Sequence, residues 1–128
     1  MAKKFRGTFT VMVTAFDNDG LIDLDAQARF TQWQVDSGIH GLIPLGSTGE
    51  FLSMSYTERK AIAECVIKTV NGRVPVLVGA GAESTDDVIE NVEMAENLGA
   101  DGTMIIPPFY STPTRSELLK HFERISQK

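Results

Sequence analysis

Four short apolar runs rich in β-branched residues, at positions 8–14, 41–45, 74–79 and 102–106, are each followed by a longer amphipathic segment. The order is β then α, four times over. The strand-like runs are apolar along nearly their whole length instead of alternating. Strands of that kind suit a parallel sheet covered on both faces, because an antiparallel edge strand shows one polar face. The pattern predicts an α/β fold with parallel strands.

The helices are punctuated in agreement with this periodicity. Ser55-x-x-Glu58, Ser84-x-x-Asp87 and Thr114-x-x-Glu117 each set a hydroxyl three residues before a carboxylate, so that both backbone donors at a helix start are satisfied reciprocally. Asp23 is placed to cap the first helix alone. Gly38, Gly72 and Gly99 each follow a helical pattern and precede a strand, as helix stops do. An internal echo, Ser37-Gly38-Ile39-His40-Gly41 against Leu98-Gly99-Ala100-Asp101-Gly102, repeats a Gly-x-x-Gly spacing two βα units apart. Repeated βα units build barrels or open sheets. Four of them make half of an eight-unit barrel, whose usual size is about 250 residues. The chain is therefore read as a single (βα)4 half-barrel unit over 1–128, with a rearranged flavodoxin-like open parallel sheet as the alternative.

A length of 128 residues gives one domain with one sizeable core, and 42% hydrophobic with 23% charged residues is the balance of a soluble globular protein. The net charge of -5 is not gathered into a tail or stripe, which argues against nucleic acid or an anionic membrane as partner and leaves a small molecule as the default. Cys65 lies in a helix-like run and is read as a small buried hydrophobe. The start, Met1-Ala2-Lys3-Lys4-Phe5-Arg6, is basic but no apolar segment follows it, and no run of about 18 apolar residues occurs. A cytoplasmic location is expected.

The chemistry-bearing residues cluster after the strands. Gly46-Ser47-Thr48-Gly49-Glu50 follows the second apolar run directly, and glycines flanking a Ser-Thr pair permit a tight backbone that aims hydroxyl and amide groups at a small carboxylate. The competing reading is a glycine-rich turn that caps a helix. Tyr110 follows the fourth run and two prolines, a rigid placement for a phenol that needs a fixed direction, or for an aromatic packed in a core or interface. Glu50 is placed either as a general base or to hold the loop and cap a helix. Phe109 is read as packing. Gly79-Ala80-Gly81 lacks the Lys and Ser/Thr of a phosphate loop. His40 and His121 have no ligand-spaced neighbours, so neither a metal nor another cofactor is expected.

These motifs resemble the dihydrodipicolinate synthase and N-acetylneuraminate lyase superfamily of Schiff-base lyases. The resemblance rests on Val11-Met12-Val13-Thr14-Ala15-Phe16, Gly46-Ser47-Thr48-Gly49-Glu50, Pro75-Val76-Leu77-Val78-Gly79-Ala80-Gly81 and Pro107-Pro108-Phe109-Tyr110-Ser111-Thr112-Pro113, in that order at βα spacing. It implies the N-terminal half of a (β/α)8 barrel in which pyruvate or another 2-oxo acid forms an imine with a lysine on the sixth strand. By resemblance, Ser47 and Thr48 bind the 2-oxo acid carboxylate, Ser47 also belongs to a proton relay, and Tyr110 relays protons across a subunit interface. The family's imine lysine and its second tyrosine lie beyond Lys128. Lys3, Lys4, Lys60, Lys68, Lys120 and Lys128 all fall at the termini or in helical patterns. The polar cluster of lysine-inhibited synthases corresponds to Phe51, Leu52, Tyr56, Glu83 and Phe109, and the apolar residues among these argue against lysine feedback.

Two classes of function follow from this reading. The first is half of a pyruvate-dependent carbon-carbon lyase or synthase, inactive alone for want of the imine lysine. The second is a non-catalytic half-barrel scaffold. In both, the open strand edges predict a homodimer or larger assembly.

Overall fold

The computed structural model of the chain describes residues 5–128. Lys3 and Lys4, with the start of the basic segment, lie outside the described residues. Each apolar run becomes a strand and each amphipathic run a helix, in the order β1 (Phe9–Val11), α1 (Leu24–Asp36), β2 (Gly41–Ile43), α2 (Tyr56–Val70), β3 (Leu77–Gly79), α3 (Thr85–Asn97), β4 (Gly102–Met104) and α4 (Arg115–Ile125). The strands are shorter than the apolar runs, because the ends of each run continue as irregular chain that feeds the loops.

All pairing is parallel. β1 lies beside β2 with Phe9 opposite Gly41, and β3 beside β4 with Leu77 opposite Gly102. The two pairs are joined by a bridge between Leu42 and Val76, by the Leu42 N–H donating to the Pro75 carbonyl at 3.0 Å, and by the Gly79 N–H donating to the Pro44 carbonyl at 2.9 Å. The strands therefore follow one another in chain order, as in a barrel wall. A flavodoxin-like sheet would set β1 between β2 and β3, and no such pairing is present among the described residues.

The helix starts form largely as their spacing predicts. Ser55 with Glu58, and Thr114 with Glu117, each make both bonds of a capping box, and Asp23 accepts from the Ala26 N–H at 2.8 Å. These bonds hold the Glu58 and Glu117 carboxyls below their ordinary range, through the Ser55 backbone N–H first in one case and the Thr114 hydroxyl first in the other. At α3 only half of the box exists: Ser84 accepts from the Asp87 N–H at 3.0 Å, with no return bond from the carboxylate. Aspartate is one methylene shorter than glutamate, which accounts for the missing bond. Gly38, Gly72 and Gly99 all take left-handed φ values, of 85°, 74° and 85°.

The core is built from Met12, Leu42, Leu45, Val76 and Val78 of the strands and their extensions, packed against Ile62, Ala63, Val66 and Val70 of α2 and Met94 and Ala95 of α3. Each large side chain removed from water contributes roughly 1.5–3 kcal/mol. The expectation that the strands are covered on both faces fails at the edges. Val11 and Val13 are 37% and 49% exposed, and every residue of β4 is only half-buried. Four consecutive strands leave β1 and β4 as edges and one face of the sheet uncovered. Cys65 is likewise only half-buried, and its thiol donates to the Leu24 carbonyl at 3.4 Å. Burial pushes that thiol up from its ordinary value, which keeps it protonated. Among the described residues no helix is long and apolar enough to cross a membrane.

Candidate active site

The chain leaves β2 through a tightly shaped turn. Leu45 adopts a left-handed φ of 63°, Ser47–Gly49 form a single 3-10 turn, Glu50 is again left-handed at 57°, and a second 3-10 turn runs over Phe51–Ser53. A left-handed leucine costs about 1–2 kcal/mol. Its side chain is 2% exposed, and a burial gain of about 2 kcal/mol offsets the strain. Backbone strain that packing over-determines is characteristic of ligand-binding turns. The turn is also fixed from β1: the Thr14 hydroxyl donates to the Gly49 carbonyl at 2.7 Å, and a side chain at Gly49 would meet the Met12 carbonyl at 2.9 Å.

Within this frame the N–H groups of Gly49 and Glu50 donate to the carbonyls of Gly46 and Ser47. The N–H groups and hydroxyls of Ser47 and Thr48 have no hydrogen-bond partner among the described residues, and both residues are exposed. Four donors thus stand free at the C-terminal end of a parallel strand, an arrangement that suits an anionic oxygen. Glu50 caps only through its backbone. Its carboxylate makes no capping bond, so the helix-capping alternative read for Glu50 is not met by its side chain.

The loop after β4 carries Tyr110, whose side chain is 93% exposed. It is not a core aromatic. Its backbone is held from the loop after β3 by Glu83: one carboxylate oxygen accepts from the N–H groups of Phe109 and Tyr110, at 2.6 Å each, and the other from the Ser111 N–H at 3.3 Å and hydroxyl at 2.9 Å. The Tyr110 N–H, followed by those of its neighbours and the Ser111 hydroxyl, draws the Glu83 carboxyl down to about 2.

The two loops meet through aromatic rings. Phe51 and Phe109 pack edge to face with centroids 6.2 Å apart, which confirms packing as the work of Phe109 even though it is 45% exposed. Beneath them lies a cavity of about 210 Å³, lined in part by Phe51, Leu52, Arg59, Glu83 and Phe109. Four of the five positions matched to the feedback cluster thus share one cavity, and Tyr56 does not line it. Ser47, Thr48 and Tyr110 stand on the same end of the sheet, and no hydrogen bond joins Tyr110 to either of the others among the described residues.

The remaining motifs have structural duties. At Gly79 and Gly81 a side chain would run into the Leu45 carbonyl at 2.1 Å and the Ile106 side chain at 2.7 Å, so that glycine run is a close-packing device. His40 accepts from the Thr8 N–H at 3.0 Å, and His121 pairs with the Thr85 hydroxyl at 2.9 Å. Larger clefts of about 510 and 530 Å³, lined in part by His40 and Ile39, open at the other end of the strands. Barrel enzymes carry their chemistry at the C-terminal end, which favours the Ser47-Thr48 turn over these.

The sequence pattern of the dihydrodipicolinate synthetase family matches residues 4–128. The chain belongs to this family. It is 42% identical over 122 residues to the 4-hydroxy-tetrahydrodipicolinate synthase of Bartonella tribocorum, a match covering 95% of this chain and 42% of that protein. Among solved structures, the chloride-inhibited dihydrodipicolinate synthase of Acinetobacter baumannii in complex with pyruvate superposes with a TM-score of 0.95 at 30% identity, over 97% of this chain and 43% of that one. A monomeric dihydrodipicolinate synthase variant superposes with a TM-score of 0.87 at 39% identity, over 96% and 41%. The chain spans about two fifths of the length of the relatives it matches, and its fold is that of the N-terminal half of the dihydrodipicolinate synthetase barrel.

Sequence reasoning missed three members of this arrangement. Thr14, the hydroxyl that ends the first apolar run, offered a signal. Leu45 offered none, since nothing in a leucine announces a left-handed backbone. Glu83 was noted only as a position in the feedback cluster, and its partners lie 26 to 28 residues further along the chain.

Proposed function

We propose that these residues form the carboxylate-binding and proton-relay part of a pyruvate-dependent carbon-carbon lyase or synthase that works through a lysine imine. The observation that carries this reading is the turn at 46–49, where two hydroxyls and two backbone N–H groups without partners among the described residues stand side by side at the end of β2. Its setting in the dihydrodipicolinate synthetase family, with a structural relative that holds pyruvate, supports a 2-oxo acid as the occupant. Ser47 and Thr48 hold the carboxylate by charge-assisted bonds. A hydroxyl both donates and accepts, so Ser47 passes a proton onward, and the exposed Tyr110 phenol does the same toward a neighbouring chain or bulk water.

An imine-forming amine needs an apolar setting that lowers its pKa. Lys60 and Lys68 lie on α2, Lys120 on α4 and Lys128 just after it, with Lys68 and Lys128 paired to Glu64 and Glu93. None of these is on a strand. By the family resemblance the amine is supplied by a part of the barrel outside these residues, and the 128 residues alone are expected not to turn over. The exposed Val11 and Val13 at the β1 edge support association into a homodimer or larger species. A monodisperse monomer by light scattering at micromolar concentration would contradict that part of the reading.

Intact-mass measurement after incubation with pyruvate and borohydride tests the division of labour. The chain alone is expected to keep its unmodified mass. Fused to the remaining part of the Bartonella tribocorum synthase in place of the matching residues, it is expected to take one adduct, and Ser47→Ala in that fusion to lose about 100-fold or more in turnover. An adduct on the chain alone would overturn the assignment of the amine, and full turnover by the Ser47→Ala fusion would overturn the role of the turn.

A further inference from the structure

The Tyr110 side chain is 93% exposed, and no ring contact or hydrogen bond from it to another described residue is present. Packing therefore cannot aim it. The direction in which its phenol leaves the chain is set by its own backbone, in a segment preceded by two prolines that supply no N–H of their own. Residues 109–111 instead turn three successive N–H groups and one hydroxyl toward one carboxylate, that of Glu83 in the neighbouring βα loop. Convergent amides of this kind form an anion-binding concavity, and bonds to an ionised acceptor are the strong ones. Here the anion is a side chain of the protein itself.

We propose that Glu83 is a positioning residue for Tyr110: its carboxylate fixes the backbone of residues 109–111 and thereby the direction of the phenol. The proposal rests on the reading of Tyr110 as a proton relay. A relay needs its oxygen within hydrogen-bond reach of its partners, and an unpacked ring on a free loop spends little time there. Glu83 touches no reacting atom. It acts through the loop, with Phe109 held on its other side by the ring of Phe51.

Amide hydrogen exchange resolved by residue, on the full chain and its Glu83→Ala and Glu83→Gln variants, tests this. In Glu83→Ala the Phe109 and Tyr110 amides are expected to exchange on the order of 10-fold faster, with those of α2 and α3 unchanged. In Glu83→Gln one oxygen remains as acceptor, so Phe109 and Tyr110 should recover most of their protection while Ser111 stays fast. Equal exchange of the loop in wild type and Glu83→Ala would overturn the proposal, and so would uniform acceleration throughout the chain, which would mark Glu83 as a general stability residue. The exchange pattern reports on the loop whatever the phenol does. The relay reading itself is tested separately by turnover of Tyr110→Phe in the fused enzyme, so the two failures are distinguishable.

Discussion

The Thr14 hydroxyl donates to the carbonyl of Gly49 at 2.7 Å, tying the end of the first strand to the turn that follows the second. This bond crosses between neighbouring βα units and holds the far side of the 46–49 turn in place. Thr14→Val keeps the shape and removes the donor, leaving the Gly49 carbonyl without that partner. A loss of about 1 kcal/mol is expected in urea unfolding. Unchanged stability would show that water replaces the hydroxyl at no cost.

Glu83 gives the loop after β4 a defined pH dependence. Its carboxyl lies at about 2 in the folded chain, below the ordinary 4.5, because the Tyr110 N–H and its neighbours bind the ionised form. The stability it contributes is fully present above the ordinary value and is lost as the pH falls from 4.5 toward about 2. Glu58 and Glu117 shift in the same direction, so the informative quantity is the difference in urea midpoint between wild type and Glu83→Gln. That difference should be largest near neutral pH and close as the pH approaches 2. A difference that does not vary with pH would contradict the account.

The half-formed cap at α3 offers a gain. Asp87→Glu supplies the methylene that the return bond to the Ser84 N–H lacks, and should stabilise the chain by about 0.5 kcal/mol. Thermal unfolding of the variant checks this, with Ser84→Ala as the opposing control at a cost of about 1 kcal/mol.

Gly79 lies where β3 meets the backbone entering the 46–49 turn. A methyl group there would stand 2.1 Å from the Leu45 carbonyl oxygen, and backbone cannot move aside as a flexible side chain can. Gly79→Ala should cost on the order of 3 kcal/mol or prevent folding, read by circular dichroism and urea titration. A variant as stable as wild type would mean that the left-handed Leu45 segment is free to shift.

The βα order, the parallel pairing and the helix starts were legible because each depends on local pattern: apolar runs, Ser-x-x-Glu spacings and glycines just past helix ends. What was not legible depends on contacts between distant residues or on backbone shape. The strand runs overestimate the strands, since apolar residues such as Met12 and Leu45 serve the core equally well from the irregular chain beyond the ladder. Ser47, Thr48 and Tyr110 could be picked out by residue type and position after a strand. Glu83 could not, because its partners belong to the loop of the next unit, 26 to 28 residues further along the chain. The box expected at Ser84 failed for a similar reason, since spacing alone does not weigh the length of a side chain.

The account rests on the turn at 46–49 as a carboxylate site, and amide chemical shifts of the chain titrated with pyruvate test it most directly. Saturable shifts centred on Ser47 and Thr48, abolished in a Ser47→Ala, Thr48→Ala double variant that keeps the rest of the spectrum, are the predicted result. Shifts absent from the turn, or confined to the basic cleft of Arg6, His40 and Arg73 at the opposite end of the strands, would contradict it.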